Sequence, residues 1–516
     1  MVLIRPTIPP SNLERPSQLA TNAGLAYAAT ASDEHKKDFG QFFTPLEIGQ
    51  HLASLVTYTA DELRLLDPGF GTGVLACSLI EQLVERNPGI RRIQLDAYDI
   101  DQDIVPHAKA TLAYLREWLN TKGIDFVGQL ISEDFILKNR AVWEFPLAAH
   151  SLYDIVISNP PYFKLGKDDP RNSLARKQQQ EQPNIYSLFI VLATLLTKPG
   201  GELVFIIPRS FCSGPYFEKF RAFTYRHLRF DLFHLFHSRS KAFKKDAVLQ
   251  ENIIFKATRA ELNASPDYSV RLVASESGQD LHNSTSLHCH LTELVDLGSR
   301  EKVLFLPTDE QERKLIADFK NWRHRLADFG VKVSTGPVVA FRTVPHLRES
   351  PDQQNVPLLW IDNVRRWKID WPNTKGRHQY VAVAGGSKAG LVPTRNYVLL
   401  RRFSAKDDKH RLIAAPFYAS EWPYSHVGLE NKLNYLHSPA GQLTDIQTAG
   451  LTALLNSDLY DAFFRIFNGN TQVSATEAQA LPMPSLAVIE EMGNAIQKAG
   501  WEQSESIVKT ALSKIQ

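Results

Sequence analysis

The sequence predicts an α/β protein built as two domains, on three observations. From about Leu63 to Phe255 short β-rich runs alternate with longer helical stretches, the pattern of a sheet flanked by helices. Several candidate strands run into glycine, carboxylate or Asn-Pro clusters, which is where ligands collect in open α/β sheets. The chain has 516 residues, longer than one ordinary core fills.

The strands are expected at residues 64–66, 93–98, 126–130, 153–157 and 202–207. Between Thr258 and Arg300 the periodicity weakens and Ser, Asn and Asp rise, as in Asn263-Ala264-Ser265-Pro266-Asp267. We therefore expect a first domain over 1–260, a connection over 261–300 and a second domain over 301–516. The last is a mixed region of Trp, Arg and short strands, with no internal repeat and no low-complexity tract.

Hydrophobic residues make up 43% and charged residues 22%, ordinary globular usage that excludes extended disorder. A net charge of +2 does not announce a nucleic-acid partner, so local patches must carry that argument. Cys77, Cys212 and Cys289 are too few and scattered for a disulfide framework and suit a reducing cytoplasm. Residues 1–19 contain four prolines and no apolar segment, unlike a signal peptide. The longest apolar run, near 185–196, is too short to cross a bilayer. These features predict a cytoplasmic enzyme with no membrane partner.

Asp67-Pro68-Gly69-Phe70-Gly71-Thr72-Gly73 follows the first strand and leads into a helical pattern. Glycines let the chain turn tightly and let a ligand approach the peptide groups. Such a loop alone is weak evidence, since glycine-rich turns also arise for packing. The next strand ends at Asp99, whose carboxylate can accept both ribose hydroxyl hydrogens; Asp101 reads as a helix cap or a solvated group. A third strand leads to Asp134-Phe135, an acceptor for an adenine amino group and an aromatic face for its ring, although Asp134 could equally be a cap. Gly73 is followed by Val74-Leu75 rather than Lys-Ser/Thr, so a triphosphate loop is excluded and the expected ligand is a nucleoside. NAD stays open on these residues alone.

The fourth strand runs into Asn159-Pro160-Pro161-Tyr162. Two prolines have no amide hydrogens and fix the backbone, so the Pro160 carbonyl is expected to project beside the Asn159 amide oxygen. Two acceptors then face one amino group. An arylamine is a poor nucleophile because its lone pair is delocalised into the ring. Accepting both its hydrogens draws the nitrogen toward tetrahedral geometry and stabilises the charge that develops on it. Tyr162 offers a ring on which a base can stack.

Here the residues resemble a family: the gamma-class N6-adenine DNA methyltransferases of type II restriction-modification systems, the TaqI-like group. Phe39-Gly40-Gln41-Phe42-Phe43-Thr44-Pro45, the 67–73 loop, Asp99, Asp134-Phe135 and Asn159–Tyr162 occur in that family's chain order. Residues 206–211 and 216–221 look like its later block, and residues 451–477 with Leu481-Pro482-Met483-Pro484 are similar to its modification methylases. The resemblance implies a Rossmann-like class I sheet that binds S-adenosylmethionine and a C-terminal mixed α/β target-recognition domain. It implies cofactor contacts from Thr44, Pro45, Asp67, Gly69, Gly71, Gly73, Asp99, Asp134 and Phe135, and catalytic roles for Asn159, Pro160, Pro161 and Tyr162. Phe217 takes the role of a second base-stacking aromatic, with Tyr216 competing and a core role for Phe217 left open.

Double-stranded DNA is the implied partner, with the target base flipped out of the stack, a cognate restriction endonuclease as functional companion, and a monomeric chain. The basic and aromatic strip Lys219, Arg221, Arg226, Arg229, Arg239, Lys241, Lys244 and Lys245, interleaved with Phe220, Phe230, Phe233, Phe236 and Phe243, offers phosphate contacts, or is simply core plus solvated charge. Arg365, Arg366, Lys368, Lys375, Arg377, Arg395, Arg401 and Arg402 are candidates in the second domain.

The Asn-Pro-Pro-Tyr element leaves N4-cytosine methylation open, as well as methylation of protein glutamine or ribosomal RNA guanine. The early Phe-Thr-Pro block and the second domain argue against the last two. Adjacent His288-Cys289-His290 would point to opposite faces of a strand, so no metal site is expected.

Overall fold

The computed structural model describes residues 14–32, 34–35, 39–40, 43–145, 152–236, 252–261, 265, 267–276, 281, 284–373, 378–383, 390–404, 408–468 and 472–514. Gln41, Phe42, Arg239, Lys241, Phe243, Lys244, Lys245, Lys375 and Arg377 lie outside the described residues. The chain divides into two compact units, Met1–Asp309 and Glu310–Gln516.

In the first unit α1 (Pro16–Thr30) and α2 (Leu46–Leu55) precede β1 (Glu62–Asp67), α3 (Val74–Arg86), β2 (Arg92–Tyr98), α4 (Val105–Asn120), β3 (Asp125–Ile131) and α5 (Phe135–Lys138). Then come α6 (Arg140–Glu144), β4 (Tyr153–Ser158), α7 (Pro170–Ala175), α8 (Ile185–Leu196), β5 (Thr197–Pro208), α9 (Glu218–His227), β6 (Leu228–Phe236), β7 (Asn252–Arg259), β8 (Ser269–Ser275) and β9 (Thr285–His290). They form one nine-stranded sheet in the order β3-β2-β1-β4-β5-β7-β6-β8-β9. The first five strands are parallel; β7 runs antiparallel to both β5 and β6. All six residues of β4 are buried, as a central strand covered on both faces requires.

Alternate side chains feed two cores. Leu66 and Val156 pack on one face with Phe189, Leu192 and Phe233, whereas Leu65, Ile155 and Ile157 pack on the other with Ile48, Leu79 and Leu115. The strand order reverses between β1 and β4, and the carboxyl ends there form the crevice where open α/β sheets bind ligands.

The strands expected from the sequence all form, but the sheet does not stop near residue 260. β8 and β9 fall inside the stretch expected to be a connection, pairing with β6 and with each other. Leu291, Leu294, Val295, Leu304 and Leu306 are buried in the same core, so the boundary moves to Asp309. Weak periodicity misled because β9 is an edge strand with four of its six residues exposed.

The second unit is mixed α/β. It contains a four-stranded sheet ordered β10 (Lys332–Thr335), β20 (Leu433–His437), β17 (Tyr397–Arg401), β18 (Ala414–Phe417). A five-stranded sheet is ordered β11 (Leu347–Arg348), β15 (Tyr380–Ala382), β12 (Asn355–Leu359), β19 (His426–Leu429), β16 (Val392–Pro393). Leu359, Leu399, Phe417, Leu429 and Leu433 form its core. Among the described residues, no helix of either unit is long and apolar enough to cross a membrane.

Candidate active site

The segment before α2 and the loops after β1, β2, β3 and β4 line a cavity of about 240 Å³. Of the residues expected to contact a cofactor, Thr44, Gly69, Gly71, Asp99, Asp134 and Phe135 line it; Pro45, Asp67 and Gly73 do not. Of the expected catalytic set it is lined by Asn159 and Pro161, with Pro160, Tyr162 and Phe217 off its wall.

The glycine loop is shaped by close approaches. A Cβ on Gly69 would sit 3.1 Å from the Asn159 carbonyl oxygen, so the glycine lets the loops after β1 and β4 come together. Gly73 has φ +94°, and a Cβ there would meet the Phe70 ring at 2.6 Å. The Phe70 amide donates to the Tyr98 carbonyl (2.9 Å), tying the loop to the end of β2. Asp67 is completely buried beneath it, with its Oδ1 3.4 Å from the Gly69 amide. Burial pushes its pKa up to about 8, against the lowering effect of the Gly69 and Ala76 amides.

Asp99 faces the cavity with one oxygen held by the Gly71 amide (2.8 Å) and the other by the Asp101 amide (3.0 Å). Burial raises its pKa to about 6, with repulsion from Asp101 adding and the two amides opposing. Asp101 itself is 1% exposed rather than solvated, and accepts the Tyr27 hydroxyl at 2.6 Å. Neither Tyr27 nor this role of Asp101 was readable, because the bond joins residues far apart in the chain.

Asp134 caps α5: its Oδ1 accepts from the Ile136 and Leu137 amides, both at 2.9 Å. Its Oδ2 lies 3.5 Å from Arg171 Nη1. Arg171 lines the cavity and is held bidentately by Asp169 at 2.8 and 2.7 Å. The sequence pointed to Asp134 but offered no signal for Arg171, the second residue of the short Pro-start helix α7. Phe135 is buried edge-on to Tyr98 (centroids 5.0 Å apart) and beside Phe189 (5.1 Å), which makes it an immobile apolar wall.

At the turn after β4 the Asn159 Nδ2 donates to Thr44 Oγ1 at 3.0 Å. That bond fixes which way the amide faces. The Asn159 Oδ1 accepts the Tyr162 hydroxyl, which also lies 2.9 Å from the Ile206 carbonyl oxygen. Burial holds the Tyr162 phenol far above its ordinary pKa, so it stays a donor. Phe217 stacks on Tyr186 with centroids 5.8 Å apart, half-buried, while Tyr216 is 79% exposed.

Among the described residues, the basic and aromatic strip after this block does not form one contact face. Phe220, Phe230, Phe233 and Phe236 are core, and Arg221 is completely buried, donating to the carbonyls of Phe211, Ser213, Gly214 and Glu301 at 2.7–3.0 Å. Lys219, Arg226 and Arg229 are exposed.

A parallel sheet with its switch point at β1 and β4, a glycine loop after β1 and a carboxylate after β2 define a class I S-adenosylmethionine-dependent methyltransferase. Residues 94–243 match the Eco57I restriction-modification methylase family. The chain is 33% identical over 480 residues to the type II methyltransferase M.PstI of Providencia stuartii, covering 92% of this chain and 93% of that protein. It is 34% identical over 476 residues to M.BsuBI of Bacillus subtilis, covering 89% and 90%. The chain belongs to the type II DNA methyltransferases of restriction-modification systems. A nuclease-deletion mutant of the Type ISP restriction-modification enzyme LlaGI, solved with a DNA substrate mimic, shares the fold with a TM-score of 0.51 at 12% identity, over 89% of this chain and 47% of that one.

The site's chemistry fits S-adenosylmethionine. Asp99 offers a preorganised carboxylate for hydroxyl donors, the Asp134 Oδ2 faces the cavity beside Arg171 while its partner oxygen is committed to the helix cap, and Ile100, Ile104, Phe135 and Phe189 supply apolar walls.

Proposed function

We propose that the chain methylates N6 of adenine within a short duplex DNA sequence, with the first unit carrying the chemistry and the second reading the sequence. A cognate endonuclease is its functional companion, and it acts as a cytoplasmic monomer. The observation that carries the reading is the Asn159 amide, whose Nδ2 donates to Thr44 so that its Oδ1 is turned to acceptor duty, where it now takes the Tyr162 hydroxyl.

S-adenosylmethionine, when bound, supplies an electrophilic methyl on a sulfonium. Thr44, Gly69, Gly71, Asp99, Asp134 and Phe135 would hold it, while Pro45, Asp67 and Gly73 shape the walls from behind. The Asn159 Oδ1 and the Pro160 carbonyl accept the two hydrogens of a flipped adenine's amino group, raising the nucleophilicity of its nitrogen. The Tyr162 hydroxyl has two acceptors and one hydrogen. It can leave the Asn159 oxygen to the amine and keep its bond to the Ile206 carbonyl. The Tyr162 and Phe217 rings are the stacking surfaces for the extruded base.

Adenine is favoured over cytosine by the chain order of the blocks, from Thr44 through the glycine loop to Asn159. Incubation with duplex DNA and methyl-labelled cofactor, followed by digestion to nucleosides, should place the label in N6-methyladenine. Label in N4-methylcytosine would overturn the base assignment, and label confined to RNA or protein would overturn the substrate. Asn159→Ala should lower the transfer rate about 100- to 1,000-fold, the scale for losing one preorganised transition-state partner.

A further inference from the structure

The second unit exposes a large aromatic side chain that its own folding does not explain. Phe341 is 74% exposed and Val344, one helical turn on, is 60% exposed. Both sit on the loop between β10 and β11, at the helical turns Ala340–Thr343 and Val344–His346.

The base of this loop is firmly built. The Gly336 amide donates to the Leu433 carbonyl (2.8 Å), the Val338 amide to Leu429 (2.9 Å), and the Asn431 amide to Val338 (2.8 Å). A Cβ on Gly336 would come within 2.2 Å of the Glu430 carbonyl oxygen, so only glycine permits this seating. The far end is anchored by β11, where Leu347 pairs with Val381 and Arg348 with Tyr380. Within the tip the Arg342 amide and the Thr343 hydroxyl both bond the Val339 carbonyl at 2.9 Å. Phe341 and Val344 together make an apolar tip on a fixed platform rather than a singly scattered surface residue.

Charge identifies the partner for this tip. From Lys332 to Arg348 the chain carries Lys332, Arg342 and Arg348 and not one Asp or Glu. The Arg342 guanidinium lies 5.3 Å from the Phe341 ring, placing a cation beside the apolar tip. Four of the arginines that the sequence first suggested already serve backbone carbonyls, as Arg348 serves those of Pro345 and Leu347, so Arg342 is the loop's principal cation for a ligand. Arg366 donates to the Asn456 carbonyl (2.5 Å), Arg401 to Val364 (2.7 Å), Arg402 to Asn431 (3.1 Å) and Arg395 to Gly441 (2.8 Å).

We propose that the loop of residues 336–348 is a duplex-DNA contact of the second unit. Phe341 enters a groove as an apolar wedge against the base pairs, and Arg342 meets the flanking phosphates. This rests on the reading of the chain as a DNA methyltransferase with a sequence-reading second unit. Apolar wedges flanked by cations are a general means of gripping and bending a duplex.

The test uses the full chain and a fluorescently labelled duplex carrying the sequence that the wild-type protein methylates. Phe341→Ala should weaken duplex binding about tenfold with cofactor affinity and melting temperature unchanged, and Phe341→Leu should restore most of the loss. Arg342→Ala should lower the slope of log affinity against log salt by about one, the mark of a single phosphate contact. Wild-type duplex affinity in Phe341→Ala together with a wild-type salt slope in Arg342→Ala would overturn the loop assignment. So would a Phe341→Ala protein that loses cofactor affinity or melts early. Failure of the wild-type chain to methylate any DNA would instead sink the functional reading beneath it.

Discussion

At the scale of single residues the site is governed by who holds whom. The Asn159 amide can face either way about its Cβ–Cγ axis, and the Thr44 hydroxyl, 3.0 Å from Nδ2, together with the Tyr162 hydroxyl on Oδ1 selects one. Thr44→Val removes that acceptor and should lower kcat about tenfold, the equivalent of one side-chain hydrogen bond, whereas Thr44→Ser should keep the rate. A rise confined to KM for the cofactor would place Thr44 in binding alone. Asp99 has the opposite character, because its partners are backbone amides and its protonation state is the variable. With a pKa of about 6, raised chiefly by burial, it is ionised above that pH and protonated below. Ribose hydroxyls donate to the ionised form, so cofactor binding favours it. Affinity should be flat at neutral pH and fall up to tenfold per unit below pH 6. Calorimetry near pH 5.5 in buffers of different ionisation enthalpy should register proton release on binding. A pH-independent affinity between 5 and 8 would remove Asp99 from the contact set. The motifs made Asp99, Asp134 and Asn159 legible, since Asp99 and Asn159 directly follow strands and Asp134 comes three residues after one. Tyr27, Arg171 and the Thr44–Asn159 bond were not, because no spacing records a contact across the fold.

At the scale of elements, the end of β1 carries a tension that the glycine loop absorbs. Asp67 is buried with a pKa near 8, so the folded chain binds its proton more tightly than the unfolded chain does. The sign follows: this contribution to stability is complete below the unfolded value of about 4 and is lost as pH rises toward 8. Asp67→Asn keeps an acceptor for the Gly69 amide and removes the charge. It should therefore raise apo-protein stability at pH 7–8 and flatten the fall of melting temperature over that range. An unchanged pH slope would mean that Asp67 is not the group being titrated. Arg221 illustrates the same point for reading sequence. In a row of cations it resembles its neighbours Lys219 and Arg226, yet it alone is inside, bracing the Phe211–Gly214 turn through which the chain reaches Phe217. Composition places a charge near DNA; only packing decides whether the charge is free to meet it.

At the scale of the molecule, the division into units decides which pieces can fold alone. The sequence marked the five parallel strands because each is a β-rich run, and the first, second and fourth also end in a ligand-type cluster. It lost β8 and β9, whose surroundings are polar and whose outer strand is mostly exposed. A chain cut after residue 260, where the periodicity fades, would strip the ladder from Leu232–Phe236 of β6 and remove Val270, Leu272 and Leu291 from the core. Losing those three apolar side chains alone costs about 5–9 kcal/mol, comparable to the whole net stability of a domain. A chain cut after Asp309 keeps all nine strands and Leu304 and Leu306, the latter two buried to 0% and 1%. We therefore expect 1–309 to unfold in one cooperative thermal transition and to bind S-adenosylmethionine with near full-length affinity. Because it lacks the unit we propose to read the sequence, it should lose selective methylation of duplex DNA. The 1–260 piece should expose apolar surface and bind a hydrophobic dye such as ANS. A 1–260 fragment as cooperative and as competent in cofactor binding as 1–309 would mean that β8 and β9 are ornaments of the sheet, and that the seam between chemistry and recognition lies where the periodicity fades.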